Sequence, residues 1–315
     1  MATRSAPTLR SRPPDFGSFF FTGLTGSATW LIIAILAVIL LNILYQGGQH
    51  CTWRFITGGT EKDLFSVGKS GVMPMIFGTA ARVILMTIFV LPIGVITAIY
   101  LTEYARTTSI FTRIIRGAVN NLAGVPSIVF GLFGLGFFIN FMGQGLDGWL
   151  RPTRAEPVWG RPALVWAACT LAVMTLPVVI VATEEALRAI PPGLREASLA
   201  LGATKLETIL RIVLPQALPG ILTGAILAVS RAAGEVAPIL FTGAAYYTAH
   251  LPGLADQFMD LGYHVFILST QSPNIDQTRP IAYATVLVLL VLTFALNLVA
   301  ILIRTRLRAK MRLLH

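Results

Sequence analysis

The sequence predicts an all-α, polytopic membrane protein with six transmembrane helices, and three observations carry that reading. The 315-residue chain is 55% hydrophobic and only 12% charged, about half the charge of an ordinary soluble domain. Its mean hydropathy is +0.75. Its apolar residues are gathered into six long runs, more apolar surface than a soluble core of this size would hide. The net charge of +10 would raise nucleic acid as a partner in a soluble protein. Here most basic residues flank the apolar runs, as membrane orientation signals do, so the expected surroundings are a lipid bilayer and no nucleic acid.

A helix needs roughly 20 apolar residues to cross the hydrocarbon core. The first run, Ala28–Tyr45, follows Arg4, Arg10 and Arg12 like a signal peptide. It is long for one, however, and Tyr45-Gln46-Gly47-Gly48 offers no small-x-small cleavage site, so it reads as an uncleaved span. The second run, Val72–Leu101, exceeds one straight crossing. A complete span lies between Arg82 and Glu103, with a kink expected at Pro92. That leaves Val72–Ala81 as an extra turn or two along the outer surface, Arg82 snorkelling to the interface and Glu103 as an interfacial anchor. The remaining runs are Val119–Met142, Pro162–Thr183, Gln216–Gly243 and Ile281–Ile303.

With the N-terminus inside, fifteen lysines and arginines fall in inner segments and seven in outer ones. That excess predicts both termini in the cytoplasm. The chain then divides into a tail at 1–27, a first helix with its outer loop at 28–71, a core at 72–303 and a basic tail at 304–315. Of the two cysteines, Cys169 lies inside an apolar run and has no CxxC partner, so neither a disulfide framework nor a zinc site is indicated.

The inner segment from Thr183 to Pro215, with its loop at 184–215, has the firmest punctuation in the chain. Pro191 and Pro192 end the preceding helix, Leu194–Leu201 is a short helix of good formers, and Gly202 supplies its stop. Thr204-Lys205-Leu206-Glu207 is a capping box that starts a second helix running to Pro215. By itself this describes an amphipathic surface hairpin. The letters Glu196-Ala197-Ser198, then Gly202, then Ile212-x-Leu214-Pro215 also resemble the EAA loop of ABC importer permeases, spacing included, with Ser198 where alanine is commoner. The resemblance implies that this hairpin docks into a groove on a cytoplasmic ATPase, through Glu196, Ala197, Ser198, Gly202, Leu214 and Pro215. Gly68-Lys69-Ser70 carries the tail of a Walker A pattern, but Asp63 stands where its first glycine is required. ATP and Mg are therefore expected on a partner ATPase, with no cofactor in this chain.

Within the fifth run, Ser230-Arg231-Ala232-Ala233-Gly234-Glu235 places two charges where a helix lies in lipid. Arg231 is 12 residues past Pro219, about 18 Å along a helix and near the middle of the core. A charge there costs at least ~2.5 kcal/mol and must face protein or a water-filled path. Glu235 at i+4 would sit one turn above it. Two readings follow: a structural ion pair, or a substrate path in which the guanidinium fork suits a tetrahedral oxyanion and Glu235 keeps the hold weak enough for release.

Pro92-Ile93-Gly94, Tyr100-Leu101-Thr102-Glu103-Tyr104, Gly124-Val125-Pro126-Ser127 through Phe133, and Ser230 through Pro238 together resemble the permeases of phosphate ABC importers. Ala237-Pro238 and Leu240-Phe241-Thr242 after the glutamate bring the chain closer to the PstA-type subunit than to its PstC-type companion. Val236 replaces a common threonine, and Arg82 is unexpected. The resemblance implies a type I (MetI-like) importer core in a bacterial inner membrane. It also implies a PstC-type second permease, two PstB-type ATPases and an extracytoplasmic PstS-type phosphate-binding protein. Arg231, Glu235 and Ser230 are assigned to the path. The outer loop Ala244–Pro280, with His250, Asp256, Asp260 and His264, is expected to be solvated, the other reading being part of the face that meets the binding protein. The alternatives are a permease for another oxyanion, sulfate or molybdate, and a secondary anion transporter; no second Arg-x-x-x-Glu copy supports the latter.

Overall fold

The structure, a computed structural model, describes residues 16–60, 65, 71–106, 108–150, 156–248 and 250–312. The basic tail residues Arg4, Arg10 and Arg12 and the Gly68-Lys69-Ser70 stretch lie outside the described residues. The chain runs α1 (Phe16–His50), α2 (Trp53–Thr57), α3 (Met73–Ile99), α4 (Ile110–Leu122), α5 (Ser127–Phe133), α6 (Gln144–Leu150), α7 (Leu164–Arg188), α8 (Pro192–Ala200), α9 (Lys205–Thr208), α10 (Leu214–Ala233), α11 (Ile239–Thr242), α12 (Leu261–Thr270) and α13 (Ile275–Arg312). π-helical turns at Tyr100–Tyr104, Gly134–Gly143 and Ile209–Val213 extend α3, join α5 to α6 and join α9 to α10. Among the described residues, six helical stretches are long and apolar enough to cross a membrane: Phe19–His50, Met73–Tyr104, Ser127–Leu150, Leu164–Arg188, Lys205–Ala233 and Ile275–Ala309.

The second and third spans and the hairpin have boundaries that differ from expectation. Val72–Ala81 is no surface turn: α3 is continuous from Met73, with Pro74 in its first turn where the missing N–H costs nothing, and Val72, Met75 and Thr79 are buried. The third span starts at Ser127 because Gly124 and Pro126 break the chain after Leu122. Val119 belongs instead to α4, an amphipathic helix that presents Ile110, Phe111 and Ile114 outward. The second helix of the hairpin does not stop at Pro215, which sits in the first turn of α10. It feeds into the fifth span without a break.

α7 is the central helix and packs along both α3 and α10. Its contacts are set by small residues, as helix pairs in lipid require. A Cβ on Gly224 would stand 2.7 Å from Ala182 Cβ, one on Gly220 would overlap Ala186 Cβ, and one on Gly94 would stand 2.6 Å from Val179 Cγ1. The Gly220–Gly224 and Ala182–Ala186 pairs thus interlock at i, i+4. Gly224→Leu is expected to force α10 off α7, at the upper end of the roughly 1–3 kcal/mol that overpacking costs. A thermal melt of the detergent-solubilised protein reads this, and an unchanged midpoint counts against the contact. α1 lies peripherally on α13, tied by Asn42 Nδ2 to Tyr283 Oη at 3.3 Å, and its apolar face is exposed.

Candidate functional site

α10 ends at Ala233, and Gly234 caps it. The Glu235 N–H still reaches Ala232 O at 3.2 Å, after which the chain turns and re-enters helix at Ile239. Arg231 and Glu235 therefore do not occupy successive turns of one helix. Arg231 sits in the last turn, about 39 Å along the axis from Lys205 at 1.5 Å per residue, and Glu235 lies in the turn beyond. The end arises because Gly234 favours termination and Pro238 excludes helix at the residue before it.

The two side chains remain neighbours, with Arg231 Nε 3.9 Å from Glu235 Oε1. That is beyond hydrogen-bond reach. Arg231 is 43% exposed and Glu235 25%, a geometry worth at most about 1 kcal/mol as an ion pair. The Arg231 guanidinium has no hydrogen-bond partner among the described residues, and the last turn of a helix is a place that favours a cation. Ser230 is not brought into this cluster. Its hydroxyl lies 3.0 Å from Asn297 Oδ1 of α13 and 2.9 Å from Ile226 O.

Directly beneath the turn is a buried polar cluster that sequence reasoning missed. Arg82 does not snorkel: it is fully buried. Its Nε donates to Asp260 Oδ2 at 2.7 Å, its Nη1 to Ala232 O at 2.9 Å and its Nη2 to Ala233 O at 3.1 Å. Asp260 in turn accepts from Thr79 Oγ1 at 2.8 Å and, as N-cap of α12, from the N–H groups of Gly262 and Tyr263. Thr79 Oγ1 accepts from Leu261 N. The outer loop is accordingly less solvated than expected. Asp260 and His264 are buried, while His250 is exposed and Asp256 half-buried, Asp256 beside Arg161 at 3.2 Å. A cost-of-burial argument applied to Arg82 would have demanded a partner, but the partner's identity is a long-range fact.

The hairpin at the other end of α10 forms as its punctuation predicts. Gly202 has φ +86°, the only left-handed φ among the described residues. Gly202 N–H bonds to Leu199 O and Ala203 N–H to Ser198 O, the paired bonds of a Schellman stop. The Thr204–Glu207 capping box is complete, and Ser198 Oγ lies 2.9 Å from Thr208 Oγ1, joining the two helices. Glu196, Ala197 and Gly202 are exposed alongside Leu194, Leu199, Leu201 and Leu206, whereas Ser198, Leu214 and Pro215 are half-buried. Glu103 is more than an anchor. Its carboxylate accepts from Arg195 Nη2 at 2.9 Å, and Arg195 also donates to Leu187 O and Ile190 O. Lys205 Nζ donates to Glu103 O and lies over the Tyr104 ring. The hairpin is thereby fastened to the end of the second span.

The profile of the family described as binding-protein-dependent transport system inner membrane component matches residues 90–313. The chain is 34% identical over 221 residues to the probable ABC transporter permease protein YqgI of Bacillus subtilis (strain 168), covering 70% of this chain and 68% of that one. It is 31% identical over 290 residues to the phosphate transport system permease protein PstA 1 of Mycobacterium tuberculosis (strain ATCC 25618 / H37Rv), covering 91% and 85%. Among solved structures, a bacterial alginate ABC transporter in complex with its alginate pentasaccharide-bound periplasmic protein matches with a TM-score of 0.59 at 15% identity, over 93% of this chain and 94% of that one. The inward-facing MetNI methionine ABC transporter matches at 0.51 and 20% identity, over 75% and 94%. These likenesses speak to the fold, that of a MetI-like type I ABC importer permease. The chain belongs to the family of binding-protein-dependent transport system inner membrane components, among its PstA-type permeases.

Proposed function

We propose that this chain is the PstA-type permease subunit of an ATP-driven importer that moves inorganic phosphate across the bacterial inner membrane. The observation that carries the reading is the likeness to phosphate transport system PstA proteins along nine-tenths of the chain. The geometry of the α10 end supports it. An arginine with unused donors, half open to its surroundings and only loosely held by a glutamate, offers a tetrahedral oxyanion a fork of charged hydrogen bonds. Glu235 beside it keeps that hold shallow, which passage requires. In this reading Arg231 and Glu235 line the path, and Ser230 sets the approach of α13 through Asn297 instead of touching the anion.

The EAA-like hairpin is the dock for the ATPase. Glu196 and Ala197 with the exposed leucines form its contact face, Gly202 and Ser198 hold its shape, and Leu214 and Pro215 carry its movement into α10. Both termini then lie in the cytoplasm. The chain itself is a transport subunit, and hydrolysis of ATP with Mg belongs to two PstB-type subunits. A PstC-type permease completes the pathway, and a PstS-type binding protein delivers phosphate from outside. The cytoplasmic tail ends where α1 begins at Phe16, earlier than the boundary at 27, the first helix and outer loop follow to residue 71, and 72–303 is the permease core.

The test is transport by the reconstituted complex in proteoliposomes. Radiolabelled phosphate is expected to accumulate only with interior ATP and loaded binding protein, and a large molar excess of sulfate or molybdate is expected to leave uptake unchanged. Equal uptake of sulfate or molybdate would move the assignment to another oxyanion. Uptake driven by a proton gradient without the ATPase would make the chain a secondary transporter.

A further inference from the structure

The Arg82 cluster lies outside everything assigned above, and its arrangement is particular. One guanidinium holds both ends of the segment 234–259: Nη1 and Nη2 grip the last two carbonyls of α10, and Nε grips Asp260 at the head of α12. Between those anchors lie Glu235 and α11. The start of α12 also packs against the turn, since a Cβ on Gly262 would stand 2.8 Å from Val236 Cγ2, next to Glu235. α3 approaches closely enough that a Cβ on Gly78 would overlap Met259 O. Arg82 and Asp260 are essentially inaccessible.

Stability alone does not explain such a pair. A fully buried ion pair gains little over well-packed apolar residues of the same volume, because desolvation offsets the attraction. What the arrangement supplies is aim. The planar fork fixes two adjacent carbonyls in one orientation, and lysine, with its single ammonium, cannot reproduce three directed bonds. Arg231 precedes those carbonyls in the chain and Glu235 follows them.

We propose that Arg82, braced by Asp260 and Thr79, is a positioning residue for anion passage: it fixes the end of α10 and thereby the direction of Arg231 and Glu235. This rests on the reading of Arg231 and Glu235 as path residues. A shift of the segment that ends at Asp260 is felt at the turn through the same guanidinium.

The experiment compares Arg82→Met/Asp260→Asn, Arg82→Lys and Arg231→Ala in the reconstituted complex, measuring thermal midpoint, phosphate uptake and ATP hydrolysed per phosphate moved. The double variant removes both buried charges while its asparagine side chain can still cap α12, so the midpoint is expected to fall only by the donor that Ala233 O loses, Ala232 O keeping the Glu235 N–H. Uptake is expected to fall roughly tenfold to 10²-fold, the scale on which small misplacements act, while ATP hydrolysis stimulated by the loaded binding protein continues, so that more ATP is spent per phosphate. Arg82→Lys, which keeps the charge but not the fork, is expected to show the same loss of coupling. A double variant that is both stable and fully active overturns the proposal. If the double variant does not assemble, Arg82→Lys decides, and full uptake with lysine overturns it equally. Failure of the underlying reading shows separately, as normal uptake in Arg231→Ala.

Discussion

Replacing Arg231 with alanine is expected to abolish phosphate uptake while leaving the complex assembled. Two magnitudes set this outcome. The Arg231–Glu235 contact at 3.9 Å, with both side chains partly exposed, contributes at most about 1 kcal/mol to the fold. A charge-assisted hydrogen bond to an oxyanion is worth roughly 1.5–3 kcal/mol. Two such bonds lost correspond to about 10²–10⁴ in rate or occupancy at 1.4 kcal/mol per decade. Uptake thus changes by orders of magnitude and stability by little. Arg231→Lys keeps the charge without the fork and is expected to recover only part of the activity. Glu235→Gln should act oppositely on binding: half-saturation at lower phosphate with a lower maximal rate, because the anion leaves a less contested arginine more slowly. Size-exclusion and uptake assays on one preparation check the pair. Loss of assembly in Arg231→Ala would restore the structural ion pair as the explanation.

The contrast between Arg231 and Arg82 shows how far the sequence could be read. Both are arginines within long apolar runs, and both demand partners by the same desolvation argument. For Arg231 the candidate partner stands four residues away, so the motif is visible in the letters, although Gly234 and Pro238 end the helix between the two. For Arg82 the partners are Asp260 and the carbonyls of Ala232 and Ala233, brought in from elements that share no local pattern with α3. Snorkelling is the ordinary fate of an arginine near a helix end, and no periodicity distinguishes it from burial.

Glu103 was obscured in the same way, since its partner Arg195 belongs to another element. Local punctuation, by contrast, is legible in the letters: Pro191 and Pro192 ending α7, Gly202 closing α8, and Thr204 with Glu207 opening α9, although α8 itself starts at Pro192 and not at Leu194. Each of these acts on its own backbone within a few residues. The six apolar runs were legible because the length of a crossing is fixed by bilayer thickness. Their ends were not all legible. α3 begins well before Arg82 because a buried, partnered arginine does not have to mark a membrane boundary.

Gly202→Pro is expected to uncouple ATP hydrolysis from transport. Gly202 holds φ +86°, and proline fixes φ near −65°. Proline also deletes the N–H that bonds to Leu199 O at 3.0 Å. α8 then cannot close in its present form, and the turn presenting Glu196 and Ala197 beside Leu199 and Leu201 re-aims. Arg195 and Lys205 still tether the hairpin's flanks to Glu103, so the defect stays in the docking face and the spans remain inserted. The expected readout is phosphate uptake near background, with the ATPase no longer responding to the loaded binding protein. The substitution series separates conformation from crowding. Nothing lies within 4 Å of a Cβ built on Gly202, so Gly202→Ala incurs only the left-handed backbone cost of about 1–2 kcal/mol and should transport with reduced efficiency. Gly202→Asn, which tolerates that conformation, should be nearly normal. The order asparagine, alanine, proline follows from backbone angle alone. Normal coupling in the proline variant would mean that the shape of this hairpin does not carry the ATPase stroke.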